Sequence, residues 1–476
     1  MNRHCVTFFP ADISVTVEEG TTVLQAQIAA GLHPDAPCGG RGTCGKCRVR
    51  IGGEEVLACQ TLVERDLSVW TETSASAVIL TEGRSAHIRP DGTDRYAAAF
   101  DIGTTTVVAY LLDGETGALL AQGSCMNPQS QYGADVISRI QYAAQGGREQ
   151  ISTCIREAMT SLFSQVCRQA GISGDQVSVS ALVGNTAMHH LLLNIDPNPL
   201  ITPPYMPAIS EAIEKNGARI LPNIAGFVGG DTVGCMVSTR FDELEELSLL
   251  IDIGTNGEMV LGNKNRMIAC STAAGPAFEG AKISCGMRGA PGAVDHVTLE
   301  NGEITYHVIG DIAPTGLCGS GLLDLVAVLL DKGIVTDSGR MPSKQYPLCQ
   351  NVTLTQKDVR EVQLAKAAIR AGIELMAIQL GVAVADIRTV YLAGAFGNYL
   401  NPASACRIGM IPPVLLDRIV PIGNAAGEGA KLCALSRDAF DYSKHLAKKT
   451  EFLELASLPE FQDWYVDALE FSEEEE

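Results

Sequence analysis

The sequence predicts an α/β protein with a small N-terminal domain followed by a larger part made of two similar lobes. Three observations support this prediction. Four grouped cysteines lie within the first 60 residues, and a polar segment without periodicity spans residues 82–95. A strand that ends in Asp-Ile-Gly-Thr then occurs twice in the remainder of the chain. The length of 476 residues accommodates roughly three domains of ordinary size.

Charge and hydropathy exclude several functional classes. A formal net charge of −20 repels phosphate backbones, which excludes a nucleic-acid-binding protein. The first residues contain no apolar stretch typical of a signal peptide, and no apolar run approaches the length of a membrane span. We therefore expect a cytoplasmic protein that binds neither nucleic acid nor membrane, and whose fifteen cysteines are thiols rather than disulfides.

The four grouped cysteines indicate a metal centre. Cys38, Cys44, Cys47 and Cys59 are separated by five, two and eleven residues. Four thiolates serve one 2Fe-2S cluster, and the glycines between them let the backbone turn tightly around it. The spacing favours this cluster over the alternative, a four-cysteine zinc site, because zinc sites usually contain two C-x-x-C pairs. A P-loop is excluded because Cys47 replaces the hydroxyl residue that would hold magnesium.

The segments around these cysteines predict a β-grasp. We expect a hairpin, then a helix that begins at Thr21 or Thr22 and is closed by Gly31, then the cysteine loop and three further strands. This arrangement resembles a 2Fe-2S ferredoxin, which makes residues 1–81 a ferredoxin-like domain. The predicted strands span residues 6–9, 13–17, 48–51, 55–59 and 67–70.

Residues 82–95, EGRSAHIRPDGTDR, are predicted to be a flexible linker. Fourteen flexible residues have a typical span of roughly 20 Å, which is enough for the cluster to move between two partners.

The repeated segments, AAAFDIGTTTVVAYLLD and LLIDIGTNGEMVLG, indicate two phosphate-binding turns. Their aspartates, Asp101 and Asp252, lie 151 residues apart, as expected for two facing lobes. Glycine in each turn allows a phosphate to approach closely, and hydroxyl and N–H groups can bind its oxygens. Each aspartate can hold Mg²⁺ directly or through water. The predicted turn residues are Gly103, Thr104, Thr105, Gly254, Thr255, Asn256 and Gly257.

These motifs resemble the actin, sugar kinase and acetate kinase superfamily of two-lobed ATPases, over about residues 96–436. The resemblance implies ATP binding, with lobes at 96–245 and 246–476 and with C-terminal helices in the second lobe. VYLAGAFGNYL resembles the adenosine motif, in which Gly394 and Gly397 leave room for the purine. LVGNTAMHHLLL and LCGSGLLDLVAVLL resemble the helices that connect the lobes.

A ferredoxin domain joined to such an ATPase resembles the reductive activators of corrinoid-dependent enzymes. The resemblance implies that ATP, Mg²⁺ and a 2Fe-2S cluster return the Co(II) corrinoid of a methyltransferase system to Co(I). The implied partners are that corrinoid protein and an upstream low-potential electron donor. The oligomeric state stays open, with a homodimer as one alternative. Two other functions also remain as alternatives: an ATP-dependent electron donor to another radical enzyme such as a dehydratase, and a small-molecule kinase with a redox domain.

Three further features of the sequence give weaker predictions about cobalt or cluster binding. His189 and His190 lie in an apolar helical run and are expected to pack rather than to bind cobalt. Ser271 or Thr272 could offer cobalt an oxygen, although a loop lining the ATP cleft is the favoured interpretation. The C-terminal cysteines are isolated, so no second cluster is predicted.

Overall fold

The N-terminal domain is a five-stranded mixed sheet crossed by one helix. The computed structural model describes residues 2–32, 34, 36, 40, 42, 45–71, 81, 83–84, 89–92, 94–133, 135–280 and 282–471. The elements of this domain are β1 (Arg3–Phe9), β2 (Ile13–Glu18), α1 (Val23–Ala29), β3 (Arg48–Ile51), β4 (Glu54–Leu57) and β5 (Leu67–Thr71). The strand order is β2-β1-β5-β3-β4, with β1 parallel to β5. The predicted β-grasp is confirmed.

Helix α1 begins at the predicted capping residue. Thr22 Oγ1 accepts a hydrogen bond from Gln25 N at 3.1 Å, and Thr22 N donates to Gln25 Oε1 at 3.0 Å. The N–H of Leu24 lies in the first helical turn and so has no partner within the helix. It donates instead to Ala58 O at 3.0 Å. The start of the helix is therefore fixed against the segment that carries Cys59.

A six-stranded sheet forms the first lobe. Its strand order is β10-β11-β9-β6-β7-β8. The strands are β6 (Tyr96–Ile102), β7 (Thr106–Asp113), β8 (Leu119–Met126), β9 (Val177–Gly184), β10 (Ile213–Lys215) and β11 (Ala218–Ile220). The helices are α2 (Val136–Tyr142), α3 (Arg148–Ala170), α4 (Thr186–Leu192) and α5 (Gly230–Thr239).

A second six-stranded sheet, with two smaller sheets beside it, forms the second lobe. The first three strands of this sheet along the chain are β12 (Ser248–Ile253), β13 (Gly257–Gly262) and β14 (Met267–Thr272). The smaller sheets contain β15 (Ala293–Glu300), β16 (Glu303–Val308), β17 (Gly316–Leu317), β18 (Gln345–Cys349) and β19 (Val352–Thr355). The main sheet is completed by β20 (Thr389–Ala393), β21 (Ile419–Gly423) and β22 (Glu451–Phe452), in the order β21-β20-β12-β13-β14-β22. The helices are α6 (Gly319–Asp331), α7 (Gln356–Leu380), α8 (Gly394–Tyr399), α9 (Pro402–Arg407), α10 (Ala425–Leu435), α11 (Arg437–Lys449) and α12 (Phe461–Asp467).

The two main sheets repeat one topology. In the first lobe, β6 pairs antiparallel with β7 and parallel with β9. In the second lobe, β12 pairs antiparallel with β13 and parallel with β20. The two predicted aspartates are the second-last residues of β6 and β12. The internal repeat inferred from the sequence is therefore present as two similar sheets.

The helices between the two sheets are α5 and α10. A Cβ added to Gly429 would lie 2.1 Å from the carbonyl oxygen of Gly234, so the two helices cross with their backbones in contact. The prediction that α4 and α6 connect the lobes is wrong, because α4 packs in the core of the first lobe and α6 in that of the second. Their apolar sequences suit a core equally well. Among the described residues, no helix is both long and apolar enough to cross a membrane.

Several described residues of the predicted linker form hydrogen bonds with the two-lobed part of the chain. Arg84 N donates to Ile422 O at 2.8 Å, and Asp91 N donates to Leu435 O at 3.0 Å. Gly83 N donates to a carboxylate oxygen of Glu428 at 3.1 Å. The prediction of a free tether is wrong at these positions, because a segment without periodicity can still satisfy its backbone groups against a neighbouring surface.

Candidate functional site

The two predicted phosphate turns occupy equivalent positions of the two sheets, and the N–H of a glycine closes each turn, with an acceptor three residues on in the first and two residues on in the second. The first joins β6 to β7, and Gly103 N donates to Thr106 O at 2.9 Å. The second joins β12 to β13, and Gly254 N donates to Asn256 O at 2.9 Å. A Cβ on Gly103 would meet the Thr106 carbonyl oxygen at 3.0 Å, so the tight turn favours glycine. Each turn therefore presents its hydroxyl and N–H groups just beyond a strand that ends in an aspartate.

Asp101 and Asp252 lie close enough to influence each other across the cleft. The pKa of each carboxyl group is raised to about 6, mainly by burial, and the charge of Asp101 contributes to the increase at Asp252. Asn424 Nδ2 donates a hydrogen bond to Asp101 Oδ2 at 2.8 Å, which partly offsets the increase in the pKa of Asp101. A divalent cation between the two carboxylates would relieve their repulsion, so their chemistry fits Mg²⁺. Within the described part of the chain, no three His, Cys, Asp or Glu side chains are grouped to hold a metal.

A third carboxyl group, Asp231, was not identified from the sequence as a site residue. It lies in the first turn of α5, and burial, followed by the charges of Asp252 and Asp101, raises its pKa to about 7. Glu258 on β13 is also buried, and burial together with the charges of Asp231 and Asp252 raises its pKa well above the usual range. These four acidic groups give the cleft a concentration of negative charge that a bound cation would offset.

A second group missed by the sequence analysis connects Asp101 to Thr81, which immediately precedes the linker. The Asn424 amide that donates to Asp101 lies 3.1 Å from the Tyr110 hydroxyl oxygen. The Tyr110 hydroxyl in turn donates to Thr81 O at 2.7 Å. The carboxylate in the cleft and the segment leading to the N-terminal domain are thus joined by three consecutive hydrogen bonds.

Glu279 was also missed, and it bridges the two lobes. Thr105 of the first turn donates to Glu279 Oε2 at 2.7 Å, and Thr255 of the second turn donates to Glu279 Oε1 at 2.5 Å. The other hydroxyl of the first turn, Thr104 Oγ1, accepts from Asn185 Nδ2 at 3.0 Å. No motif marks Glu279, because a single glutamate in a loop carries no sequence pattern.

The residues predicted to surround adenosine lie beside the second turn. Gly394 has a φ of +81°, and a Cβ there would lie 2.6 Å from Asp252 Oδ1. Gly397 lies on α8 against Leu392 of β20. Gly257 likewise has no room for a Cβ, which would meet Thr272 Oγ1 at 2.8 Å. Glycine at position 394 thus leaves the space that the Asp252 carboxylate occupies. The sequence analysis did not predict this role.

The cysteine loop places two of its four predicted ligands in the core of the N-terminal domain. Cys47 and Cys59 are both buried, and Ala58 N donates to Cys47 O at 2.8 Å. A Cβ on Gly40 would approach Cys59 Cβ at 3.9 Å, so the loop passes close to this thiol. Gln60 Nε2 donates to Cys59 Sγ at 3.7 Å, a contact of the kind that tunes a cluster. Cys38 and Cys44 lie outside the described residues. The chemistry and placement of the described pair fit an iron–sulfur cluster.

The same loop contacts the second lobe. Lys46, which directly precedes Cys47, donates from Nζ to the carbonyl oxygens of Ile283 and Gly286. The acceptor residues belong to the loop that also carries Glu279. One short segment of the second lobe therefore contacts both the cysteine loop and the cleft.

Three protein-family models match successive parts of the chain. Residues 6–66 match the model of the 2Fe-2S iron-sulfur cluster binding domain, residues 96–244 that of the RACo middle region, and residues 246–476 that of the C-terminal domain of RACo, the ASKHA domain. The chain is 32% identical over 573 aligned positions to the corrinoid activation enzyme RamQ of Eubacterium limosum, covering 95% of this chain and 96% of RamQ. The chain belongs to the family of reductive corrinoid activators.

Two further relatives agree with this family. The [Co(II) methylated amine-specific corrinoid protein] reductase of Methanosarcina barkeri is 26% identical, over 79% of this chain and 77% of its own. A solved structure described as a reductive activator for a corrinoid, iron-sulfur protein superposes with a TM-score of 0.72 at 29% identity, covering 98% of both chains. The fold class predicted from the sequence, a ferredoxin domain followed by an actin-like domain, is confirmed.

The weaker sequence features occupy ordinary structural positions. Burial lowers the pKa of His189 to about 3, and His190 accepts at Nε2 from Ala208 N at 3.0 Å, so both histidines pack within the first lobe. Thr272 is buried and donates to Gly257 O at 3.2 Å, while Ser271 lies 3.4 Å from a Glu258 oxygen. Both residues thus border the second phosphate turn, but they do so as the last two residues of strand β14 rather than from the expected loop. The C-terminal cysteines, Cys406 and Cys433, lie in different hydrophobic cores.

Replacing a described cluster ligand should remove the cluster. We expect the anaerobically prepared protein to contain about two iron and two sulfide per chain, and Cys47→Ser and Cys59→Ser to lose most of both, because thiolates hold such clusters. Metal and sulfide analysis with the visible spectrum checks this. The matched control is Cys5→Ser, since Cys5 is exposed on a strand of the same domain. Zinc in place of iron in the wild type would contradict the cluster.

Replacing Asp231 with Asn should change how stability depends on pH. Burial and the nearby carboxylates raise its folded-state pKa from 3.8 to about 7, so its favourable contribution is complete below about pH 4 and is lost as the pH rises through about 7. Relative to the wild type, Asp231→Asn should gain about 1 kcal/mol or more between about pH 5 and pH 8. Urea unfolding without metal or nucleotide checks this, with exposed Asp467→Asn as control. A difference that is independent of pH would contradict the assignment.

Proposed function

We propose that the chain is an ATP-dependent activator that reduces the Co(II) corrinoid of a methyltransferase-system protein to Co(I). The observation that carries this proposal is the contact of one loop of the second lobe with two features, the nucleotide-type cleft and the cysteine loop. The names of the relatives supply the class of partner. An electron centre and a nucleotide cleft joined in this way suit a reaction in which nucleotide controls electron transfer.

The cysteine loop holds the electron carrier in this proposal. Cys38, Cys44, Cys47 and Cys59 bind one 2Fe-2S cluster, which supplies a single electron at a low potential, about −400 mV for plant-type ferredoxins. The burial of Cys47 and Cys59 and the close approach of Gly40 support this assignment. A low-potential donor in the cytoplasm reloads the cluster after each transfer.

The cleft between the lobes binds MgATP in this proposal. Asp101 and Asp252 organise Mg²⁺ and the attacking water, and their need for a counter-charge supports the assignment. Adenosine lies against Gly394 and Gly397, which follow β20. The hydroxyl and N–H groups around the phosphates come from the two turns, that is from Gly103, Thr104, Thr105, Gly254, Thr255, Asn256 and Gly257.

The energetics of the transfer explain why nucleotide is needed. A cluster held by the four cysteines would supply the one electron that converts Co(II) of the partner to Co(I), and the cluster would be left oxidised by one electron. For one electron, each 59 mV of unfavourable potential difference lowers the equilibrium constant tenfold. A ligand shifts such an equilibrium only if it binds one state better than the other. ATP therefore acts by closing the lobes in the complex with the corrinoid protein, and hydrolysis reopens them.

Removing either aspartate in the cleft should abolish ATP hydrolysis. We expect Asp101→Ala and Asp252→Ala each to lower the ATPase rate by about two orders of magnitude or more, because each removes an oriented charge at the reacting phosphate. Steady-state phosphate release measures the rate. Asp467→Ala, on the exposed face of the last helix, is the matched control. Near-normal rates in both cleft variants would show that the clamp is misassigned.

The complete reaction should require hydrolysable nucleotide. Reduced protein mixed with a Co(II) corrinoid protein should form Co(I) repeatedly with MgATP, but not with ADP or a non-hydrolysable analogue. The corrinoid protein should also stimulate the ATPase, because coupling between two binding sites is reciprocal. The cobalt absorption spectrum measures the product. Equal and repeated Co(I) formation without nucleotide would overturn the proposed function, as would turnover of sugars or acetate with no cobalt reduction.

A further inference from the structure

Glu279 links the two phosphate turns while belonging to neither of them. It follows Phe278 in the loop after β14, and its two carboxylate oxygens accept separately from the two lobes. The Thr105 hydroxyl is 2.7 Å from Oε2 and the Thr255 hydroxyl is 2.5 Å from Oε1. A single anionic group therefore satisfies one donor from each turn.

These donors are the groups that a phosphate would need. A phosphate that enters between the turns accepts hydrogen bonds from the same two hydroxyls, and it carries charge of the same sign as Glu279. The surroundings already accommodate an anion. Burial lowers the pKa of Arg139 to about 10, and the negative charge of Glu279 is the strongest influence opposing this. The Glu279 carboxylate and a terminal phosphate thus compete for one position.

The other end of the same loop contacts the N-terminal domain. Lys46 Nζ lies 3.4 Å from Ile283 O and also donates to Gly286 O. Gly280 and Gly286 are packed against each other, since a Cβ on Gly286 would lie 2.3 Å from Gly280 O. The residue after Glu279 is thus in contact with an acceptor of Lys46, and a shift of Glu279 is transmitted over a short, tightly packed path.

The loop also has a fixed point and a connection to the adenosine motif. Ser284 N donates to Asp358 Oδ1 at 2.7 Å, which anchors the loop to the start of α7. The rings of Phe278 and Phe396 stack with centroids 4.8 Å apart and an interplanar angle of 7°. Phe396 belongs to α8, which contains Gly394 and Gly397. These contacts attach the loop to α7 on one side of Glu279 and to the predicted adenosine motif on the other.

We propose that Glu279 is a positioning residue that occupies the terminal-phosphate position until ATP enters, and that its displacement changes the contact of Lys46 beside Cys47. This inference rests on the proposed binding of ATP in the cleft. It deepens the proposed function, because it gives a route by which the nucleotide state reaches the electron carrier. Such coupling requires a ligand that binds one state better than the other. A terminal phosphate meets this requirement because it contacts the two turns only in the state in which Glu279 is displaced.

The first test measures nucleotide affinity by calorimetry on the full-length protein. Glu279→Gln keeps the size of the side chain but removes the competing charge, so ATP should bind about tenfold more tightly or better, the scale of one charged hydrogen bond. ADP lacks the terminal phosphate, so its affinity should change less. Glu300→Gln, on an exposed strand position, is the matched control and should leave both affinities unchanged. Unchanged or weakened ATP binding by Glu279→Gln, or an equal gain for ADP, would overturn the inference.

The second test follows the cluster and does not depend on the folding of the Glu279 variant. MgATP should alter the electron paramagnetic resonance spectrum of the reduced wild type. Lys46→Met should keep its iron content and still bind ATP but lose this response. A response that persists undiminished in Lys46→Met, or no response in the wild type, would overturn the inference. Failure of the wild type to bind ATP at all would instead refute the proposed function, and the inference with it.

Discussion

The mutual repulsion of buried carboxylates is the constraint around which the two lobes are arranged. Asp101 and Asp252 end equivalent strands of two similar sheets, and they lie near enough for one charge to raise the pKa of the other. Asp231 joins them from the first turn of α5. Such a group of acids is unfavourable in a protein interior unless a cation or protons neutralise it. The cleft therefore suits a cationic ligand, and the proposed MgATP would supply one together with a phosphate chain.

Close backbone packing allows the acids to meet. Helices α5 and α10 cross at Gly234 and Gly429 with no space for side chains, and this crossing lies between the two main sheets. Helix α5 carries Asp231 in its first turn, and Asn424, which supports Asp101, is the capping residue of α10. A larger residue at either glycine would separate the helices and hence the groups that they hold in the cleft.

The N-terminal domain is connected to the cleft by two separate sets of contacts. One runs from Thr81 through Tyr110 and Asn424 to Asp101. The other runs from Lys46 to the loop of Glu279. Hydrogen bonds of this kind each contribute only about 1 kcal/mol, so they can break and re-form during a catalytic cycle. An electron carrier held by weak contacts remains free to respond to its partners.

The sequence by itself determined the N-terminal domain, the capped start of its helix and the two repeated strands, and it supplied the candidate cysteines and phosphate turns. These features are local: a capping threonine at position 22, a strand that ends in Asp-Ile-Gly-Thr, and cysteines at ligand spacing each leave a pattern within about 20 residues. Only the tertiary structure decided that Asp231, Glu279 and Asn424 enter the same cleft, and that α5 and α10 lie between the sheets. Those residues come from segments far apart in the chain, and each occurs singly. Their meeting depends on how the two sheets pack, and no local periodicity records that packing.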